Sequence, residues 1–226
     1  MLNPAPRTPR THVIIWPGLL FVSWVLAWLL CLALRGRFHW SSSTDTIYWI
    51  AMKAILWVLP AVLAIQIFER ADVVEFLELS ASRLRPGLIW GLGVGAALVV
   101  ITYLGKSLPA GAHPREVTFS LVFVNAVIVA PLVEEIAMRG FFLKALELSG
   151  RSFWNANIWT TLLFAAMHVP GWLFNGRFPS TTVLVQALIP IAGLGLLFGW
   201  TKHRSGSLYA AIIVHVINNL YSAFFP

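Results

Sequence analysis

The first long apolar stretch of the chain, residues 13–34, reads VIIWPGLLFVSWVLAWLLCLAL. It contains no Asp, Glu, Lys or Arg, and its length of about 22 residues matches the roughly 20 that a helix needs to cross the hydrocarbon core of a bilayer. It is too long for the apolar part of a signal peptide, and no small-residue cleavage site follows it. We therefore predict an uncleaved first membrane span, preceded by a short basic tail that contains Arg7 and Arg10.

The composition of the whole chain also indicates a membrane protein. Of the 226 residues, 58% are hydrophobic and 11% are charged, whereas a soluble domain carries roughly 25% charged residues. The 11 Trp and 15 Phe are typical of aromatic belts at the two membrane surfaces. This composition excludes a water-soluble globular protein and predicts the lipid bilayer as a partner.

The formal net charge of +7 raises the question of a nucleic-acid partner. The basic residues are scattered singly or in pairs between apolar stretches, which is typical of topology signals and of contacts with anionic lipid headgroups. A protein that follows a phosphate backbone needs clustered Lys and Arg. We therefore predict no nucleic-acid partner.

The fold predicted from this pattern is all-α: a polytopic transmembrane helix bundle that forms a single integral membrane domain over residues 1–226. Backbone groups in lipid must find their hydrogen-bond partners within helices. About seven spans (six to eight) satisfy the length criterion, approximately at residues 13–34, 47–68, 87–105, 117–138, 154–174, 183–201 and 207–225. Residues 69–79 mix acidic and apolar side chains, which predicts a short amphipathic helix at the membrane interface. Lys53 is left inside the second span.

The distribution of basic residues gives an orientation. More Lys and Arg flank the cytoplasmic ends of these spans if the amino terminus is inside the cell. We therefore expect a cytoplasmic amino terminus. Because the chain is short and carries no eukaryotic retention signal, we expect a multi-pass protein of a prokaryotic inner membrane, and no further domain after Pro226.

The single cysteine and the paired glycines carry structural predictions only. Cys31 is the only cysteine, which excludes an intrachain disulfide and a Cys-rich zinc site, so we expect it to be a packed residue. Two glycine pairs, Gly91/Gly95 and Gly195/Gly199, have the small-xxx-small spacing that lets membrane helices approach closely.

The first polar cluster lies at the end of the fourth predicted span, in the stretch APLVEEIAMRGFF at residues 130–142. Glu135 and Arg139 are four residues apart, so on a helix they share a face and can form an ion pair. Glu134 points about 100° away from Glu135, which leaves one carboxylate for another task. Ionisable groups at membrane depth are costly and are functional candidates for that reason. The alternative is a solvated salt bridge at the end of a span.

The second polar cluster, FAAMHVPG at residues 164–171, lies inside the fifth predicted span. Phe164 and His168 are one helical turn apart, so the phenyl ring is placed to line a pocket that the imidazole faces. Pro170 and Gly171 predict a break or kink of the helix shortly after the histidine. The alternative is a histidine with a purely structural hydrogen bond.

The third polar cluster is HVINN at residues 215–219, in the last predicted span. His215 and Asn219 are four residues apart and project together, so one helix face offers a ring nitrogen and a carboxamide. The alternative is a polar contact that only joins two helices. The presence of three such clusters on three spans favours one shared polar cavity, because burying them separately would cost several times as much.

These three clusters resemble, in order and internal spacing, the motifs of a known family. Glu134-Glu135-xxx-Arg139, Phe164-xxx-His168 and His215-xxx-Asn219 are similar to the three motifs of the CAAX protease and bacteriocin-processing (CPBP, or Abi) membrane proteins, which include the type II CAAX prenyl endopeptidases. The motifs extend from Glu134 to Asn219, and the motif-bearing catalytic core is predicted at about 117–225. The amino-terminal half carries no matching motif.

The resemblance implies an intramembrane endopeptidase of glutamate type, with no cofactor. Glu134 would be the general base that activates water, and His168 would hold or polarise that water. His215 and Asn219 would stabilise the oxyanion. Positions that would orient the site are Glu135, Arg139 and Phe164. Amide hydrolysis needs a base near a water and donors where negative charge develops, so these residue types suit the reaction.

Three alternatives remain open at this point. A zinc-dependent membrane metalloprotease would use Glu134, His168 and His215 as ligands, although no His-Glu-xx-His helix is present. A non-catalytic immunity or scaffold protein would keep the motifs as structural contacts. A transporter is disfavoured because no inverted repeat is recognisable. The expected substrate is a membrane-anchored protein or peptide, such as a prenylated tail, a leader peptide or a sorting tail.

Overall fold

A computed structural model of the chain describes residues 11–177 and 180–225. Throughout these residues the regular structure is helical, and no strand is present among them. The all-α prediction is therefore confirmed. The basic tail with Arg7 and Arg10, like Pro226, lies outside the described residues.

The described helices follow one another with short connections, apart from the segment between α4 and α5. Their bounds are α1 Thr11–Arg37, α2 Ser42–Glu69, α3 Val73–Phe76, α4 Ala81–Thr102 continued by the π-helical turn Tyr103–Ser107, α5 Leu121–Leu148, α6 Phe153–Ala166, α7 Val169–Phe174, α8 Thr181–Ser205 and α9 Leu208–Phe224. Helices α2 and α5 contain π-helical turns, at Ala54–Val58, Ile65–Glu69, Asn125–Val129 and Ile136–Leu143.

Serine residues begin several of these helices by accepting a hydrogen bond from a backbone N–H of the first turn, which is the usual N-cap geometry. Ser41, Ser120, Ser152 and Ser180 cap α2, α5, α6 and α8 in this way. At the other end of α8, Gly206 takes the left-handed conformation (φ 61°) that terminates a helix and favours glycine. The predicted helical segments are thus delimited by local side-chain chemistry.

Among the described residues, five helical segments are long and apolar enough to cross a membrane, by length and composition. They are Ile15–Arg37, Ser42–Glu69, Val73–Ser107, Leu121–Leu148 and Thr181–Ser205. Helix α9 is apolar but shorter, with 17 residues. The interfacial helix expected over 69–79 forms only at Val73–Phe76, where Asp72 accepts a hydrogen bond from the N–H of Glu75. These segments make the chain an integral membrane protein.

The fifth predicted span is divided into α6 and α7. The break lies at Met167 and His168, and Pro170 occupies the first turn of α7, where its missing N–H leaves no hydrogen bond unmade. The predicted break is therefore confirmed, and it lies at the histidine itself.

Helix α4 packs closely against α9 through its glycines. A Cβ atom on Gly91 would lie 2.7 Å from Cβ of Ile213, and a Cβ atom on Gly95 would meet Ile217. The second pair acts between other helices, because a Cβ on Gly199 of α8 would meet the side chain of Asn157 in α6. Both glycine pairs thus allow the close helix packing that their spacing predicts.

The amino-terminal helices α1 and α2 meet in a cluster of tryptophans. The ring of Trp24 lies 5.1 Å from both Trp49 and Trp57, and Trp28 lies 4.1 Å from Trp49. The indole N–H of Trp24 donates a hydrogen bond of 2.9 Å to the carbonyl of Met167. The tryptophan cluster therefore attaches the amino-terminal half directly to the break between α6 and α7. Cys31 is fully buried and free, as predicted.

Candidate active site

Helix α5 carries a fully buried ion pair. Arg139 Nη1 lies 3.0 Å from Glu135 Oε1, and neither side chain is exposed. The second guanidinium nitrogen donates a 3.0 Å hydrogen bond to the carbonyl of Gly195 in α8, and the guanidinium lies 4.4 Å above the ring of Phe164 in α6. The i,i+4 pair predicted from spacing is confirmed, and it joins α5 to α6 and α8.

Glu134 on the same helix has a partner that sequence analysis missed. Its Oε1 forms an ion pair of 2.5 Å with the ammonium of Lys53 in α2, and the two side chains are 9% and 14% exposed. The role of Lys53 does not follow from the local sequence, because its partner lies 81 positions away in the chain. The available signal was the isolated lysine itself, since a charge inside an apolar span requires an opposite charge nearby.

His215 of α9 lies between the two carboxylates. Its Nδ1 is 2.9 Å from Glu135 Oε1, and its Nε2 is 3.9 Å from Glu134 Oε2. The imidazole also stacks on the ring of Phe198, with 4.5 Å between ring centres. Because Glu135 bonds both Arg139 and His215, it fixes the orientation of that imidazole.

His168 lies at the break between α6 and α7. Its Nδ1 is 2.8 Å from the carbonyl oxygen of Phe164. Since a carbonyl only accepts, Nδ1 is the donor, and in the neutral imidazole Nε2 then carries the lone pair. The Phe164 ring stands edge-on to the imidazole, with 4.9 Å between ring centres. The two rings are therefore neighbours, as their spacing predicts, but Phe164 is not among the residues that line the cavity of His168.

Glu134 and His168 line one cavity of about 230 Å³. Its other lining residues are mostly aromatic or cationic: Trp24, Trp28, Lys53, Trp57, Met167, Gly171, Trp172, Asn175 and Arg177. A cavity of this volume has room for several water molecules. Because α1 and α2 supply four of these residues, the half of the chain without motifs forms part of this cavity.

Asn219 faces different neighbours. Its side-chain amide donates a 2.9 Å hydrogen bond to the carbonyl of Ala126 in α5, and it lines a second cavity of about 510 Å³ with Arg115 and Glu116. The structure therefore brings together Glu134, Glu135 and the two histidines, and it does not direct Asn219 into the cavity of Glu134 and His168.

Comparison with known proteins identifies the part of the chain that contains these groups. Residues 116–221 match the family model of the type II CAAX prenyl endopeptidase Rce1-like proteins. This range includes all the motif residues from Glu134 to Asn219. Residues 116–221 thus form an Rce1-like CAAX protease domain. No curated protein matches the chain.

A metal site would need several His, Cys, Asp or Glu side chains that converge on one point. Among residues 11–177 and 180–225, no group of three or more His, Cys, Asp or Glu side chains is placed to hold a metal ion. The oxygen Oε1 of Glu134 is bound to Lys53, and Nδ1 of His168 is bound to a backbone carbonyl. As placed, Glu134, His168 and His215 do not form such a group. The contacts of Oε1 and Nδ1 still leave Oε2 of Glu134 and Nε2 of His168 to other partners, so the metal dependence of the site stays a prediction.

Chemically, the CAAX protease domain supplies a buried carboxylate and an imidazole lone pair to the same cavity. Both groups are hydrogen-bond acceptors for water, and they line the same cavity. The family model that residues 116–221 match is that of an endopeptidase. Each of the two adjacent carboxylates has its own cation: Glu135 pairs with Arg139 on the same helix, and Glu134 pairs with Lys53, which lies outside the domain.

Proposed function

We propose that the protein is a glutamate-dependent intramembrane endopeptidase that hydrolyses a peptide bond in a membrane-associated protein or peptide. The observation that carries this proposal is that Glu134 and His168 line the same small cavity. A general base must lie within reach of the water that it activates. The family of residues 116–221 supports peptide hydrolysis as the reaction.

In the proposed reaction, Glu134 accepts a proton from a water molecule that Nε2 of His168 helps to hold. The water oxygen forms a bond to the carbonyl carbon of the substrate, and the carbonyl oxygen takes up negative charge. Glu134 then returns the proton to the leaving nitrogen as the C–N bond breaks. No atom of the enzyme becomes covalently bound to the substrate.

His215 and Asn219 are proposed to stabilise the negative oxygen. The Asn219 amide has two N–H donors, and one of them is used by Ala126. The second is available to a substrate that reaches both cavities. Glu135 bonds the imidazole of His215, and Arg139 pairs with Glu135. Phe164 packs against Arg139 and His168. These three residues are proposed to orient the site.

We also propose that the reaction needs no metal ion or other cofactor, because Lys53 already neutralises the carboxylate that a zinc ion would need. The inner membrane of a prokaryote, with the amino terminus in the cytoplasm, is the proposed location. Substrates are to be sought by comparing the termini of membrane proteins in cells with and without the gene.

The experiment that tests the proposal uses purified protein in lipid nanodiscs and a substrate found in that comparison. Glu134→Gln keeps the size of the side chain but removes the base, so cleavage is expected to fall by roughly 100-fold or more while the protein stays folded. Glu75→Gln, at an exposed position, is the matched control and is expected to cleave normally. Cleavage by Glu134→Gln at the wild-type rate would contradict the proposal.

A second arm of this experiment addresses metal dependence. After exhaustive chelation the wild-type protein is expected to cleave at an unchanged rate. Loss of cleavage that is restored by added zinc would favour the metalloprotease instead.

A further inference from the structure

Two charged residues of the cavity, Lys53 and Arg177, lie outside the motifs, and Lys53 is the one that contacts Glu134. Lys53 lies in α2, in the amino-terminal half, and its side chain is 14% exposed. An ammonium group at such a position is costly to maintain. Its described contacts are the carboxylate of Glu134 at 2.5 Å and the ring of Trp57, whose centre is 5.7 Å away. The energetic cost of keeping this ammonium group inside a membrane span indicates that Lys53 has a role in the site.

The charges around Glu134 show what Lys53 contributes. Adjacent carboxylates disfavour each other's charged form, and Glu134 is followed directly by Glu135. Arg139 forms its ion pair with Glu135 and its other hydrogen bond with the Gly195 carbonyl. Lys53 is therefore the cation that balances the charge of Glu134.

The groups that face Glu134 come from every neighbouring element. Lys53 approaches from α2, His215 from α9, and His168 from the break between α6 and α7. Glu135 and Arg139 lie on its own helix, and Arg177 lines the outer part of the same cavity. Arg139 forms its ion pair with Glu135, and Lys53 forms its ion pair with Glu134.

The contact also distinguishes the two oxygens of the carboxylate. Lys53 holds Oε1, while Oε2 points towards His215 at 3.9 Å, a separation too long for a hydrogen bond. The carboxylate is thus fixed by one oxygen, and the other is left to accept a proton from water.

We propose that Lys53 is the positioning residue of the catalytic base: its ammonium group keeps Glu134 charged and holds Oε1, so that Oε2 can accept the proton of the attacking water. This inference rests on the proposed function, because it assigns Lys53 a role in the step in which Glu134 acts. Lys53 acts through Glu134 and need not touch the substrate.

The test compares Lys53→Gln, Lys53→Arg and Lys106→Gln with the wild-type protein in the cleavage assay above. Lys53→Gln keeps a hydrogen-bond donor but removes the charge, so kcat is expected to fall roughly 10- to 100-fold while KM changes by less than about threefold. Lys53→Arg keeps the charge and is expected to restore most of kcat. Lys106 is exposed on the π-helical turn after α4, and its variant is expected to match the wild type.

If Lys53 had a purely structural role, Lys53→Gln would lower the amount of folded protein, but the folded fraction would not show a reduced kcat with a nearly unchanged KM. Unchanged kcat in folded Lys53→Gln, with Glu134→Gln inactive, would overturn the inference and leave the proposed function standing. Cleavage by Glu134→Gln would instead overturn the proposed function. If Lys53→Gln does not fold, folded Lys53→Arg decides: activity supports the role of the charge, and inactivity contradicts it.

Discussion

Replacing Arg139 with Met is expected to destabilise the folded protein more than any substitution of an exposed charge. The change leaves Glu135 buried without its cation and removes the hydrogen bond to the Gly195 carbonyl. Removing one partner of a buried ion pair costs about 3–5 kcal/mol. Polar contacts between membrane helices average only about 0.6 kcal/mol, because the unfolded chain in the membrane also finds partners. We therefore expect the free energy of unfolding to fall by about 3 kcal/mol, the lower end of the range for a broken buried ion pair. This corresponds to roughly a 100-fold change in the unfolding equilibrium constant.

The assay is reversible unfolding of the purified protein in mixed micelles as the fraction of denaturing detergent rises. Arg37→Met, at an exposed position at the end of α1, is the control and should change the free energy of unfolding by less than about 0.5 kcal/mol. The double variant Glu135→Gln/Arg139→Met removes both charges and is expected to regain about 1 kcal/mol of the loss. An Arg139→Met variant as stable as the control would refute the reasoning.

Two further predictions concern helix packing and the second catalytic group. Gly91→Ala places a Cβ 2.7 Å from Cβ of Ile213 and is expected to cost about 1–3 kcal/mol, whereas Gly93→Ala meets nothing within 4 Å and should be neutral or stabilising because Ala is the better helix former. Equal stability of the two variants in the same unfolding assay would contradict the close contact of α4 with α9. His168→Gln removes the lone pair at Nε2 and is expected to lower kcat roughly 100-fold, while His39→Gln, at an exposed position, should leave kcat unchanged. Wild-type kcat in folded His168→Gln would exclude a role for His168 in holding the water.

The parts of the site that could be predicted from the sequence depend on spacing within one helix. The four-residue separation of Glu135 and Arg139 is enough to place them on one face, and the structure has them 3.0 Å apart. The separation of Phe164 and His168 likewise predicts their contact, and Pro170 predicts the nearby break. The all-α fold follows from composition, because lipid leaves the backbone few other ways to satisfy its hydrogen bonds.

The parts that could not be predicted depend on how separate helices pack. Lys53 and Glu134 are 81 positions apart, and no local pattern connects them. For Asn219, a local pattern exists but is not sufficient. Its four-residue separation from His215 predicts that both side chains point in the same direction, but its amide donates to the carbonyl of Ala126 in the neighbouring α5. Spacing along one helix gives the face on which a side chain lies. The neighbour that it contacts depends on the packing of the other helices.

The hydrogen bond from Trp24 to the carbonyl of Met167 has a consequence for engineering this protein. The carbonyl next to His168 is held by a residue outside the family domain, and Lys53 is supplied from outside it as well. A chimera that transplants only residues 116–221 onto foreign amino-terminal helices would therefore lack both contacts. Chimeras between relatives should instead take α1, α2 and the family domain from the same protein.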